Sequence, residues 1–254
     1  MKIRNALASV ALLLAWAATV SAQTTPAVAP PEQSAAAPTG KVGVAVKVST
    51  FGIGLDAAAR LRRKANLRAG VNLFGYSRDF EDTDNNITWV GKLTLRSVHA
   101  YLDLFPFGGG FHISPGMVLN NGNKVSLSAS IPPGQTISID DTDYVSSSTN
   151  PIRAGGAVSF KTVAPAVLIG WGNIVSSGRR FSVPFELGVA FVGAPRATMT
   201  FTGTGCAANG TNCRDMGADA SIQSDIAAEQ ARLNSDIRIF RFHPVLSLGI
   251  GIRF

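Results

Sequence analysis

Residues 240–254 read FRFHPVLSLGIGIRF. Every even position is apolar or proline: Phe240, Phe242, Pro244, Leu246, Leu248, Ile250, Ile252 and Phe254. The odd positions hold Arg241, His243, Val245, Ser247, Gly249, Gly251 and Arg253. Successive side chains of a strand point to opposite faces, so a period of two predicts a strand with one wall of large hydrophobes and one of small or charged groups.

The same alternation recurs along the chain. KVGVAVKVS puts valine at 42, 44, 46 and 48, and FGIGLDAAARL then shifts the apolar set to odd positions from Phe51. NLRAGVNL, FHISPGMVL, VAPAVLIGW and FSVPFELGVAF alternate similarly. In KLTLRSVHAYLDLF the apolar set begins with Leu93 and Leu95 and then changes parity to Val98, Ala100, Leu102 and Leu104. Opposite these faces stand Asp56, Arg68, Asn72, Lys92, Thr94, His99, Tyr101, Asp103, His112, Ser114, Glu186, Arg241 and Arg253.

The N-terminus has a different character. Lys2 and Arg4 precede an apolar stretch from about Ala6 to Val20 that ends in Ser21 and Ala22, the pattern of a secretory signal peptide over residues 1–22. Residues 23–40, rich in Ala, Pro and Thr, cannot build a core and read as a flexible tether. The formal net charge is +7 and falls by two without Lys2 and Arg4. That mild and scattered excess, with no recognisable motif, argues against nucleic-acid binding.

Hydrophobic residues make up 46% of the chain and charged ones 15%, so two-faced strands must choose between a dry sandwich core and lipid. Three features favour lipid. The apolar faces run long without an outward charge. Phe105, Phe107, Phe111, Trp171, Phe181 and Phe254 gather at strand ends, where an interfacial girdle would lie. Compact turns (RRKA, FPFGGG, NIVSSGRR) alternate with long polar loops. Backbone polar groups in hydrocarbon all need partners, and strands can supply them only by closing into a barrel. The expected fold over residues 41–254 is therefore all-β, a closed antiparallel transmembrane barrel.

The signal peptide, the two-faced strands and the terminal GIGIRF resemble those of small bacterial outer-membrane β-barrel proteins. The resemblance implies a Gram-negative outer-membrane location after Sec-type export. It further implies contact with outer-membrane lipid and lipopolysaccharide. It makes Phe254 part of the signal read by the barrel-assembly machinery during insertion.

Counting backwards from a periplasmic C-terminus places strands near 237–254, 180–201, 156–172, 111–131, 87–105 and 65–80. The span 42–61 remains. Bacterial single-chain barrels have even strand numbers. A tight hairpin at Ser49-Thr50-Phe51 makes the total eight. A single bulged strand there would need a missing partner within 120–157, where KVSLSASI and QTISID flank Pro132-Pro133-Gly134. An eight-stranded interior is filled by side chains. Asp56, Asp103 and Glu186 are expected to pair there with Arg68, Lys92, Arg241 and Arg253, because buried charge must be compensated.

Cys206 and Cys213 predict a disulfide across a loop tip. DIAAEQARLNSDI predicts a short helix in the last long loop, with Ile222, Ile226, Leu233 and Ile237 on one stripe. His112 and Ser114 faintly resemble the His-x-Ser pair of outer-membrane lipid A deacylases, but they fall on the face away from lipid and no acidic residue follows before Asp140. Asp82, Asp84 and Asn86 begin like a calcium loop but lack its glycine and closing glutamate. No catalytic, cofactor or metal site is expected. The expected function is structural, adhesive or interaction work by a monomeric, non-enzymatic barrel through its outer loops. A narrow pore for small solutes is the alternative, and a lipid-modifying enzyme the weakest reading.

Overall fold

The computed structural model describes residues 41–82, 86–176 and 178–254. The signal peptide, the tether and Asp84 of the acidic loop lie outside the described residues. No helix among the described residues is long and apolar enough to cross a membrane.

From the N-terminal side, β1 (Val42–Ser49) turns at Thr50-Phe51 into β2 (Gly52–Arg62), so 42–61 is a hairpin. Gly52 takes a φ of 105°, which a side chain would strain. Then come β3 (Ala65–Asp82), β4 (Ile87–Leu104) and β5 (Phe111–Asn121). The next segment holds β6 (Lys124–Ser130), β7 (Thr136–Ile139), β8 (Thr142–Ser146) and β9 (Arg153–Ser159). After it follow β10 (Ala164–Trp171), β11 (Phe181–Ser182), β12 (Phe185–Ala190) and β13 (Arg196–Thr202). The last part contains β14 (Thr204–Cys206), β15 (Arg214–Asp215), α1 (Ala220–Asp236), a 3-10 turn (Ile237–Ile239) and β16 (His243–Arg253).

Eight strands close the barrel, in the order β1, β2, β3, β4, β5, β10, β12, β16 and back to β1, all antiparallel. Outside, Val46, Val48, Leu55, Leu73, Leu248 and Ile250 are exposed, while Asp56, Arg68 and Glu186 point inward at 1–2% exposure. Large hydrophobes outside and ionisable groups inside reverse the arrangement of a water-soluble barrel.

A second storey stands on the long-loop side. β3 and β4 run on past the barrel. β6 replaces β5 beside β4, β9 pairs with β6 and β13 with β9, giving an open five-stranded sheet. The strands read at 111–131 and 156–172 are thus each two strands in series, one per storey, and the one read at 180–201 is β11 and β12 beside β16 in the barrel followed by β13 above it. KVSLSASI and QTISID do not pair with each other: β7 forms its hairpin with β8. α1 packs on the inner face of this sheet, burying Ile222, Ile226 and Leu233 beside Ile87, Trp89, Leu127 and Phe201. Asp219 caps the helix by accepting from the Ser221 and Ile222 N–H groups. Cys206 and Cys213 are disulfide-bonded at the tip.

The parity change in β4 has a physical cause in this architecture. The β3–β4 register is unbroken from Ala65↔Leu104 to Asp82↔Ile87, so no bulge shifts the faces. The environment changes instead. In the barrel the outward face (Val98, Leu102, Leu104) is apolar; in the second storey the inward face (Ile87, Trp89) covers a dry core, Leu95 is buried below it, and the outward face carries Lys92 and Thr94.

Candidate functional site: a sealed barrel interior

The interior is stacked in three layers. At the short-turn mouth, Ile174 and Val175 of the 172–180 turn fold inward against Ala45 and Ala58. Arg60 donates to the Val175 carbonyl and Arg253 to the Ser176 carbonyl, tying that turn into the opening. On the long-loop side, Phe51 from the first hairpin packs over Tyr101, Val118, Leu168, Val192 and Val245. His243 stacks on Phe51 with ring centroids 4.3 Å apart.

Between these apolar layers lies a charge cluster centred on Arg68 of β3. Its Nε and Nη2 donate to the two Asp103 oxygens, each at 3.0 Å. Nη1 donates to Asp56 Oδ2 at 2.9 Å and to Glu186 Oε2 at 3.1 Å, and Nη2 also donates to Glu186 Oε1. Lys47 Nζ lies 2.7 Å from Asp56 Oδ2. Ser114 donates to Asp103 Oδ1 at 2.7 Å and Ser247 to Glu186 Oε2 at 2.9 Å. His99 Nε2 lies 3.0 Å from Asp56 Oδ1, and His112 Nε2 lies 3.5 Å from Glu186 Oε1. Seven of the eight barrel strands thus contribute; β10 contributes space. Gly170 leaves room for the His112 ring, which a Cβ would approach to 2.8 Å. Gly70 does the same beside Asp56, where a Cβ would come to 2.1 Å from Oδ1.

Of the residues expected in the network, the structure brings together Asp56, Arg68, Asp103 and Glu186. Arg253 is buried at the short-turn mouth, away from this cluster. Lys92 and Arg241 correct the expectation: both are exposed, Lys92 on the outward face of β4 and Arg241 in the segment before β16. Lys92 belongs to the second storey, where the outward face is polar. Arg241 precedes β16 and donates from Nε to the Arg238 carbonyl at 3.0 Å, outside the strand alternation from which its place was read. Phe105 also leaves the expected girdle. It is buried in the mouth with its ring 5.3 Å from His112, while Phe107, Trp171, Phe181 and Phe254 remain exposed. Lys47 was missed, although it is the single charge in VGVAVKVS and lies on the face opposite the exposed Val42, Val46 and Val48.

The cluster has little chemical freedom. Ligand atoms of Asp103, His112 and Glu186 lie within 4.8 Å of one another, so by residue type they could hold a cation. The Arg68 guanidinium already donates to both carboxylates, so a cation there would face a fixed positive charge. Ser114 is directed at Asp103, and both Ser114 and His112 face away from the apolar outer wall. The void among these residues amounts to about 10 Å³, room for about one water.

No family model matches the sequence, and no curated protein matches it. Solved structures do. The crystal structure of Acinetobacter baumannii CarO superposes with a TM-score of 0.51 at 16% identity, over 85% of this chain and 98% of that one. Acinetobacter baumannii CarO2 gives the same TM-score and identity, over 84% and 98%. At this identity the likeness is one of fold, a closed eight-stranded antiparallel β-barrel, here with an exposed apolar wall and buried charges.

Proposed function

We propose that this protein is a non-conducting, non-enzymatic outer-membrane barrel that holds a folded domain outside the cell, and that its work is interaction through that domain. In outer-membrane barrels the short turns are periplasmic and the long loops extracellular. That convention places the C-terminus and the 172–180 plug in the periplasm and the second storey outside. The observation that carries the reading is Arg68, whose guanidinium touches carboxylates from β2, β4 and β12 and so bridges the lumen from wall to wall. An ion would have to part this cluster and both apolar layers.

A narrow pore is the competing reading. Reconstitution in planar bilayers separates the two. The expected record shows no unitary current steps at voltages that leave the bilayer intact. Stable steps of uniform size, absent from protein-free bilayers, would sink the proposal in favour of a pore.

A further inference from the structure

The second storey is an incomplete copy of the barrel beneath it. β6 stands above β5, β9 above β10 and β13 above β12, but no strand among the described residues stands above β2. The β2–β3 pairing ends at Ile53↔Leu73, while β3 runs on beside β4 to Asp82↔Ile87. Residues 74–82, FGYSRDFED, therefore form one free edge of the upper sheet, about 30 Å of extended chain. An edge of this kind is a template for another strand. The opposite edge of the same sheet is guarded, because Gln230 and Asn234 of α1 accept from β13 N–H groups. The β3 edge has no such cover. It contains no proline and no bulge, and its one inward charge, Arg78, lies over the Phe80 ring at 5.8 Å.

The two faces of the edge say what would fit there. On the inward face the core around α1 reaches Phe80 and stops, leaving Phe74 at 42% and Tyr76 at 54% exposure. These two pair with Leu95 and Leu93 of β4, so two rungs of the inner face are apolar and each ends open at β3. The outward face carries Gly75 and Ser77 low on the edge, then Asp79 and Glu81 higher up, all exposed. Asp79 and Glu81 form no ion pair among the described residues. Unpaired backbone groups are not tolerated in hydrocarbon, and these outward residues belong to a wet wall. A strand that matched the edge would place apolar side chains inward beside Phe74 and Tyr76 and basic ones outward beside the two carboxylates, since opposite charges on neighbouring strands attract. A second copy of this chain matches poorly, because its own edge brings three carboxylates and one arginine.

We propose that residues 74–82 of β3 receive an extended segment of a partner protein, which pairs antiparallel above β2 with alternating inward apolar and outward basic side chains. Main-chain hydrogen bonds supply the affinity and the alternate side chains the selectivity. The proposal rests on the reading above that the second storey is the part that interacts, and it names the surface and the partner's chemistry. The two tests are separate: a barrel that conducts and takes up the peptide sinks the closed lumen alone, and a silent barrel that ignores the peptide sinks this proposal alone.

The test uses the full folded chain in detergent, with a labelled nine-residue peptide followed by fluorescence anisotropy and hydrogen exchange followed over 74–82. The peptide has valine at its odd positions, lysine at the second and fourth, and threonine at the sixth and eighth. Saturable binding is expected, with slowed exchange in 74–82. Affinity should fall about tenfold in the variant D79K/E81K, and a peptide with glutamate in place of both lysines should prefer that variant over wild type. N-methylation of one alternate set of peptide amides should abolish binding, and methylation of the other set should leave it, because only one set faces β3. Absence of saturable binding overturns the proposal, as does a loss under threefold in D79K/E81K or an equal loss with both methylated peptides. Slow exchange of 74–82 without peptide, together with a dimer mass, gives the edge to a second copy and also overturns it. Unchanged heat-modified mobility on gels shows that the variant is folded; if it is not, the two methylated peptides on wild type decide alone.

Discussion

Arg68 is the one side chain that answers three carboxylates at once. Its planar fork matches Asp103 through two donors and still reaches Asp56 and Glu186, which the single ammonium of a lysine could not do. Removing it leaves Asp56, Asp103 and Glu186 with Lys47 as the remaining fixed cation in the cluster. Breaking a buried pair by deleting one partner costs about 3–5 kcal/mol. Arg68→Ala is therefore expected to lower the unfolding free energy of the reconstituted barrel, read from its urea midpoint, by an amount in that range, with Arg68→Lys in between. A midpoint unchanged in Arg68→Ala would mean that the cluster is not what holds the lumen together. The glycines beside it follow from the same packing: at Gly70 a methyl group would occupy the space of the Asp56 carboxylate.

At the scale of elements, the second storey must protect the edge of β13, whose unpaired backbone groups invite another strand. α1 does this with side chains. Gln230 Oε1 accepts from the Met199 N–H and Asn234 Oδ1 from the Ala197 N–H, both at 2.8 Å, and Asn234 Nδ2 donates to the Ala197 carbonyl at 3.1 Å. Each such bond contributes on the order of 1 kcal/mol. Gln230→Ala with Asn234→Ala is expected to speed protease cleavage between β13 and β16 several-fold while leaving the heat-modified mobility of the barrel unchanged.

The helix has a second tether in Tyr144, which donates to Asp225 at 2.8 Å. Burial and that neighbouring carboxylate push its phenol up to about 12. An unfolded tyrosine ionises near pH 10, so above that pH the unfolded chain loses a proton that the folded one keeps. The contribution is fully present below about pH 10 and is lost as pH rises through about 12. The emission of Trp89, which lies in the same core, is expected to report helix loosening in that window, and Tyr144→Phe to remove the contribution of this group.

For the whole molecule, the layering separates two stabilities. The barrel is held by a closed ladder and its interior cluster, and the second storey by its own dry core around α1. The Cys206–Cys213 bond closes a small loop at the far tip. A disulfide acts chiefly by limiting the unfolded chain, at about 2–4 kcal/mol and less for shorter loops. Reduction is accordingly expected to increase cleavage within 203–215 without moving the barrel's own melting transition. A joint shift of both would show that the storeys unfold as one unit.

The sequence by itself determined the period of two, the apolar outer walls, the loop helix and the inward pointing of Asp56, Arg68, Asp103 and Glu186. Those follow from local alternation, because a strand in a bilayer has only two environments and each residue must suit one of them. At Ser49-Thr50-Phe51 it left a tight hairpin and a bulged strand both open, and the β1–β2 pairing decided for the hairpin. Tertiary structure alone decided where the apolar wall stops. Lys92 and Val98 sit on the same face of one unbroken strand, yet one belongs to a polar wall and the other to an apolar one. Nothing in the spacing of β4 marks the height at which β6 takes over from β5. For the same reason the inward Leu95 and the outward Arg96 look like a change of register, although they record a change of surroundings. The joining of Arg68 to Glu186, 118 residues apart, was likewise set by closure of the barrel, which brings β3 and β12 across from one another.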